Sequence, residues 1–122
     1  MSLVTLNEAK KSKIRYDIEG IVKCMNVAKY INKRNGNVEL VCNAQLFDGV
    51  GNFISISLWN NDIKKVRNNL KIKIINAYTK IFQGKPVIYV SENGTIDVLG
   101  FNPNLIKEDI INIKKRKKII SF

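Results

Sequence analysis

Aromatic and basic side chains occur together near predicted strand ends and loops of this chain. The aromatic residues of interest are Trp59, Tyr78, Phe82 and Tyr89. The basic residues that accompany them are Lys80 and Lys85 around one turn, and Lys33 and Arg34 at an earlier hairpin tip. Aromatic rings stack on nucleic-acid bases, and cationic groups neutralise phosphates. The pattern therefore predicts a site for single-stranded nucleic acid, with stacking by the first group and phosphate contacts by the second.

The same aromatic residues can also be explained by packing. Trp59 lies on the polar face of an alternating segment whose other face carries Ile54, Ile56 and Leu58. A tryptophan in this position is either a stacking surface or is covered by a loop or helix. Aromatic residues are most often part of a core, so the alternation by itself leaves both interpretations open.

The charge of the chain favours a polyanionic partner. The 122 residues include 21 Lys and Arg against 10 Asp and Glu, for a net charge of +11. Residues 1–15 contain four basic and one acidic residue, residues 105–122 contain six and two, and the remainder is less basic. An AT-rich genome also produces chains rich in lysine, isoleucine and asparagine, so charge alone does not decide the function.

The chain contains few residues that are suited to enzymatic catalysis. The chain has no histidine, which excludes a Ser-His-Asp triad, a Cys-His pair and a histidine-containing zinc site. Asp17 and Glu19 are interpreted as ordinary surface charge, and Cys24 and Cys42 as two buried thiols in a reducing compartment. We therefore predict no catalytic residue, no metal and no cofactor.

Location follows from what the sequence lacks. No run of 18 apolar residues occurs, so no membrane span is expected. No charged-then-apolar signal segment occurs at the start either. The expected location is the cytoplasm, in association with the nucleoid, or the nucleus if the source is eukaryotic.

Residues 15–99 have the pattern of an all-β domain. Turn signals recur at Asn35-Gly36, Asp48–Asn52, Gln83–Pro86 and Asn93-Gly94. The apolar runs between them predict five strands, the last broken at Asn93-Gly94: 15–31, 38–47, 53–59, 71–82 and 86–99.

One short helix is predicted between the third and fourth strands. Asn60, Asn61 and Asp62 are capping residues, and apolar residues follow at helical spacing. Three strands, a helix and two strands is the order of a five-stranded OB-fold barrel. An SH3-like barrel lacks this helix, and a sandwich usually needs more strands.

The basic termini are expected to lie outside the barrel. Residues 1–14 are predicted to be a basic N-terminal arm, residues 15–100 the OB-fold domain, and residues 101–122 a basic amphipathic C-terminal helix or tail. Pro103 suits the first position of that helix, and the cluster Lys114–Lys118 suits its end. Such a helix could build a homo- or hetero-oligomer.

Three motifs carry a family resemblance: Ile54–Asp62, Ala77–Lys85 and Val87–Tyr89. With them, the stretch 38–99 resembles the OB-fold single-stranded DNA-binding proteins of archaea and eukaryotes, such as archaeal replication protein A and the single-OB proteins. The resemblance implies that the four aromatic residues stack on bases and that the protein protects single strands in replication, repair and recombination. It also implies DNA rather than RNA as the ligand.

The chain departs from the family in two places. The first hairpin, 28–37, is longer and more basic than in the single-OB proteins. The C-terminal segment resembles the helix that assembles replication protein A subunits. Two alternatives therefore stand beside single-stranded DNA binding: an RNA-binding OB domain, and a structural OB subunit in which Trp59 is covered by protein.

Overall fold

The computed structural model describes residues 2–101. This part of the chain contains seven strands and two short helices. In chain order they are β1 (Leu3–Val4), α1 (Leu6–Lys11), β2 (Tyr16–Lys23), β3 (Lys29–Asn32), β4 (Val38–Phe47), β5 (Phe53–Trp59), α2 (Asn61–Lys65), β6 (Leu70–Phe82) and β7 (Lys85–Phe101). The predicted strands 38–47 and 53–59 are confirmed at both ends. The C-terminal helix predicted for 101–122 falls, apart from Phe101, outside the described residues.

Five of the strands close into a ring. β2 pairs with β4 on one side and β6 on the other, both antiparallel. β4 pairs with β5, and β6 with β7, again antiparallel, whereas β5 pairs with β7 in parallel. The ring order β2-β4-β5-β7-β6 is that of the OB fold. The predicted all-β OB barrel is therefore confirmed, with a short helix between its third and fourth strands.

The core fills the inside of this ring because alternate residues of each strand face inward. Ile54, Ile56 and Leu58 are buried, as the alternation of β5 predicts. Cys42 is also buried, and burial raises the pKa of its thiol. Cys24, in contrast, is exposed, so the prediction of two buried thiols was wrong for this residue.

Cys24 is exposed because the first predicted strand is divided. The segment 15–31 was predicted as one strand, but β2 ends at Lys23 and β3 begins at Lys29. Cys24 itself has a φ of 55°, a left-handed conformation that interrupts an extended strand. β3 then pairs only with β4, as an extra strand at the edge of the sheet.

The N-terminal segment also differs from the expected arm. Thr5 and Glu8 form a reciprocal capping box at the start of α1, with distances of 3.1 and 3.0 Å between backbone nitrogen and side-chain oxygen. Leu6 and Ala9 are buried against the barrel. This helix was not predicted from the sequence, because six residues are too few to show a helical period.

The helix between the third and fourth strands is shorter than predicted. α2 is five residues long, and Val66 already has an extended backbone. Asn60 precedes the helix but does not cap it with its side chain. Its Oδ1 accepts a hydrogen bond from the Leu40 N–H at 3.0 Å, and its own N–H donates to the Leu40 carbonyl at 2.8 Å. Asn60 therefore holds the ends of β4 and β5 together.

No turn is present at Asn93-Gly94. β7 continues through this dipeptide, but it bulges there: between the pairs Ala77–Val90 and Ile75–Thr95, the four residues 91–94 of β7 lie opposite Asn76 alone in β6. Asn76 has a φ of 61° at that bulge, and its N–H donates to the Asp17 carboxylate at 2.9 Å. Asp17 is therefore a structural residue, and its interpretation as ordinary surface charge was wrong.

The β4–β5 hairpin is closed by an aspartate. Asp48 accepts hydrogen bonds from the N–H groups of Val50 and Asn52, at 2.9 and 3.0 Å, and from the Asn52 side chain at 2.6 Å. The Val50 N–H is the largest cause of a lowered pKa for the Asp48 carboxyl, and the bonds from Asn52 add to it.

Asp48 gives a prediction about acid stability. A lowered folded-state pKa means that this carboxylate stabilises the fold above its unfolded pKa of about 3.9, and that the contribution is lost as the pH falls through the folded value. We expect Asp48→Asn to have a lower melting temperature than the wild type at about pH 7. At about pH 2, the difference in melting temperature between the two proteins should be smaller. Thermal unfolding at both pH values checks this; an equal difference at both would contradict it.

No helix in the described part of the chain is long and apolar enough to cross a membrane.

Candidate nucleic-acid interface

An open groove of about 570 Å³ lies on the outside of the barrel, across β4, β5 and β7. Three of the four predicted stacking residues, Trp59, Phe82 and Tyr89, line this groove together with Lys85. Trp59 and Tyr89 are half-buried and Phe82 is exposed. The side chains are thus close enough to contact one extended ligand.

The strand register explains why they share one face. Asn43 pairs with Ser57, and Ser57 pairs in turn with Tyr89, so these three side chains form one row across the sheet. Trp59 is two residues from Ser57 along β5 and therefore points to the same side. Because the alternate residues Leu58 and Ile88 are fully buried, this row must face outward.

Tyr78 joins the row through Tyr89. The two residues are cross-strand partners, and their rings stack with centroids 5.5 Å apart and planes 16° apart. Lys80 lies above the Tyr78 ring, with Nζ 5.5 Å from its centroid. Neither Tyr78 nor Lys80 lines the groove directly, so both extend the surface at the β6 edge.

A tight turn places Phe82 and Lys85 side by side. Gln83 and Gly84 both have positive φ angles, 51° and 80°. Positive angles at both central residues define the type I′ turn, whose twist matches a β-hairpin. Phe82 and Lys85 are therefore paired across the hairpin, which puts a ring and an ammonium group at the same edge of the groove.

A basic residue lies over the ring of Trp59 at the other edge. Lys33 Nζ is 5.3 Å from the Trp59 ring centroid and forms an ion pair with Glu39 at 2.8 Å. An exposed ion pair of this kind contributes about 0–1 kcal/mol. A base stacked on this side of Trp59 would have to displace Lys33 from its contacts with the ring and with Glu39, and the ammonium group would then be available to a phosphate.

Arg34 does not line the groove either, and no ring contact among residues 2–101 connects it to the groove as one connects Lys33 to Trp59. It is exposed at the tip of the β3–β4 hairpin. The tip is closed by backbone hydrogen bonds from Lys33 to Asn37 at 2.8 Å and from Gly36 to Lys33 at 3.0 Å. Arg34 can reach a ligand only beyond the end of the groove.

The polar floor of the groove was missed in the sequence analysis. It is made by small and amide side chains between the aromatic residues, namely Asn26, Asn43, Gln45, Ser55, Ser57 and Gln83. The alternation of β4 and β5 places four of them on the face away from the core, which was a usable signal. Amides and hydroxyls of this kind can donate to or accept from base edges and phosphates.

A metal site is not formed at the groove by residues 2–101. In that range no group of three His, Cys, Asp or Glu side chains is placed to hold a metal ion. The buried hydroxyl of Tyr16, whose pKa is raised by burial, is hydrogen-bonded to Thr79 beneath α1 and is not part of the groove lining.

Comparison with known proteins agrees with the fold. No family model and no curated protein matches the chain. Among solved structures, the OB domain of Ta0387 from Thermoplasma acidophilum is similar over 84% of this chain and 91% of that chain, with a TM-score of 0.70 and 19% identity. The replication factor A related protein from Methanobacterium thermoautotrophicum is similar over 75% and 87%, with a TM-score of 0.60 and 20% identity.

A third similar structure is a replication protein A heterotrimer bound to single-stranded DNA. The similarity covers 95% of this chain but 28% of that chain, with a TM-score of 0.68 and 13% identity. At these identities the similarity defines the fold. The chain is therefore an OB-fold domain.

Proposed function

We propose that this OB domain binds single-stranded DNA in the groove across β4, β5 and β7, with little preference for sequence. The observation that carries the proposal is that Trp59, Phe82 and Tyr89 line one open groove with Lys85. Bases stack on the aromatic rings, and since every base has a flat face the binding is tolerant of sequence. The biological role is protection of single strands in replication, repair and recombination.

The roles of the individual residues follow from their positions. Trp59 and Tyr89 are platforms for two bases, and Tyr78 supports Tyr89 from behind by ring stacking. Phe82 is exposed beside the β6–β7 turn and stacks on a further base. Phosphates are neutralised by Lys85 and Lys80 at this end, and by Lys33 and Arg34 at the hairpin end. The choice of ligand is supported by the replication protein A heterotrimer of similar fold, which was determined bound to single-stranded DNA.

Binding is expected to weaken strongly with salt. For single strands, log K falls with log salt concentration at about 0.7 per neutralised phosphate. If all four cations act, the slope is about −3; it is nearer −2 if Lys33 keeps its ion pair with Glu39. Trp59 is the only tryptophan in the chain, so its fluorescence reports directly on the groove.

The test is a fluorescence titration with oligo-dT across a series of salt concentrations, beside oligo-rU and a DNA duplex. Quenching by oligo-dT that weakens with salt supports the proposal, and a tighter complex with oligo-rU would identify the domain as an RNA binder. If no oligonucleotide binds and the mass of the protein rises with concentration, the structural-subunit alternative is correct instead.

A further inference from the structure

A second, smaller depression of about 330 Å³ adjoins the groove at the β6–β7 turn. We refer to it as the side depression. It is lined by Lys10, Gln45, Phe53, Ser55, Lys85 and Pro86, among others. None of these side chains except Lys85 was expected from the sequence to contact a ligand.

The side depression continues the groove. Gln45, Ser55 and Lys85 line both of them, so the two depressions are adjacent on the surface. Along β5 the outward residues run from Trp59 in the groove to Phe53 in the side depression. Six residues of strand cover about 20 Å, a length that leaves room for more than one nucleotide.

Phe53 presents an open aromatic ring at the far end of this path. It is 42% exposed, although it lies in a strand of the barrel. Phe47, its cross-strand partner, stacks on it with centroids 4.5 Å apart and planes 21° apart. Because Phe47 covers one face of the ring and holds it in place, the other side remains available to a ligand. The arrangement repeats that of Tyr78 behind Tyr89.

Lys10 supplies positive charge beside this ring. It is half-buried in the last turn of α1, and the helix is anchored by Leu6, by Ala9 and by a hydrogen bond of 2.7 Å from the Thr79 hydroxyl to the Ala9 carbonyl. No ion-pair partner of Lys10 is present among residues 2–101. No carboxylate lines the side depression within that range, so Lys10 and Lys85 leave it positively charged.

We propose that the side depression is an additional nucleotide subsite, which extends the single-strand path beyond the β6–β7 turn. One base stacks on Phe53, and the phosphate next to it lies between Lys10 and Lys85. The inference rests on the proposed function, because it requires the strand to occupy the main groove first. It also gives the N-terminal helix a role in binding, through Lys10.

The subsite predicts an effect that depends on oligonucleotide length. An oligo-dT of about 4 nucleotides, the lower end of the range for an OB fold, fills the main groove, whereas one of about 12 also reaches Phe53. Phe53→Leu keeps an apolar side chain in the hairpin but removes the flat ring. We expect it to weaken binding of the longer strand by about 5-fold or more, the equivalent of about 1 kcal/mol of stacking, and to leave the shorter strand unaffected.

Three further variants separate stacking from charge and from folding. Phe53→Tyr keeps the ring and should bind both lengths as the wild type does. Lys10→Gln should also weaken only the longer strand and should lower its salt dependence by about 0.7 in the slope. Lys64→Gln removes an equal charge from α2, from a residue that lines neither depression, and should preserve the ratio of the two affinities.

The outcomes distinguish the subsite from the main groove. The subsite is wrong if Phe53→Leu and Lys10→Gln bind the longer strand as tightly as the wild type, or if they weaken both lengths equally. If the wild type binds neither the shorter nor the longer oligo-dT, the proposed function is contradicted, and the subsite with it.

Discussion

Replacing Trp59 with alanine is expected to weaken binding of oligo-dT by about 5- to 150-fold. The estimate corresponds to the roughly 1–3 kcal/mol that a base gains by stacking on an aromatic side chain. Trp59 should lie in the upper part of the range, because it is a large ring at one end of the groove.

The measurement needs a readout other than tryptophan fluorescence, and anisotropy of a labelled oligo-dT provides one. Tyr30→Ala is the matched control. Tyr30 is 79% exposed on β3, and alternation along the strand directs it away from the groove, which its neighbour Ile31 lines. The Tyr30→Ala variant should bind oligo-dT as tightly as the wild type does. If Trp59→Ala also binds normally while folded, Trp59 is a packing residue and does not contact the ligand.

Gly94→Ala is the substitution with the largest expected effect on stability. A Cβ atom at this position would lie 2.7 Å from the carbonyl oxygens of both Asn76 and Ile75. These are backbone atoms of β6 opposite the bulge of β7, and they cannot rotate away as a side chain can. Crowding of this kind typically costs about 1–3 kcal/mol, occasionally more. We expect a loss of this size in the free energy of unfolding from urea denaturation.

The neighbouring residue is the control for this prediction. Asn93 is exposed in the same strand, and Asn93→Ala should change the stability by less than about 0.5 kcal/mol. If Asn93-Gly94 were instead a turn that needs both residues, the two variants would be similarly destabilised. Equal losses would therefore contradict the close approach of Gly94 to the β6 backbone.

The strands around the groove were predictable because their information is local. The alternation of β4 and β5 determines which residues face the core, and the turn at Gln83-Gly84 is indicated by Gly84, the residue type that adopts a positive φ readily. The same alternation gave the outward position of Trp59 and the inward position of Cys42. These features depend on the period of a strand and on short-range geometry, which a single sequence contains.

The errors have a common cause in contacts between distant residues. Asn93-Gly94 has the sequence of a turn, but it lies in a bulge of β7, where glycine lets the strand pass close to the β6 backbone at Ile75 and Asn76. Asp17 resembles surface charge until β2 is placed beside that bulge. α1 is too short to be recognised until Leu6 and Ala9 meet the barrel. In each case, the contact that explains the residue is made with a strand that is distant in the chain.

The sequence by itself determined the OB barrel, its inward and outward faces, and the residue types suited to bases and phosphates. Only the tertiary structure decided which of them meet. Strand pairing places Trp59, Tyr89, Phe82 and Lys85 along one groove, because cross-strand neighbours are fixed by register and not by distance along the chain. Packing of α1 likewise decided that Lys10 lies beside Phe53, since a short helix takes its position from the surface that it covers.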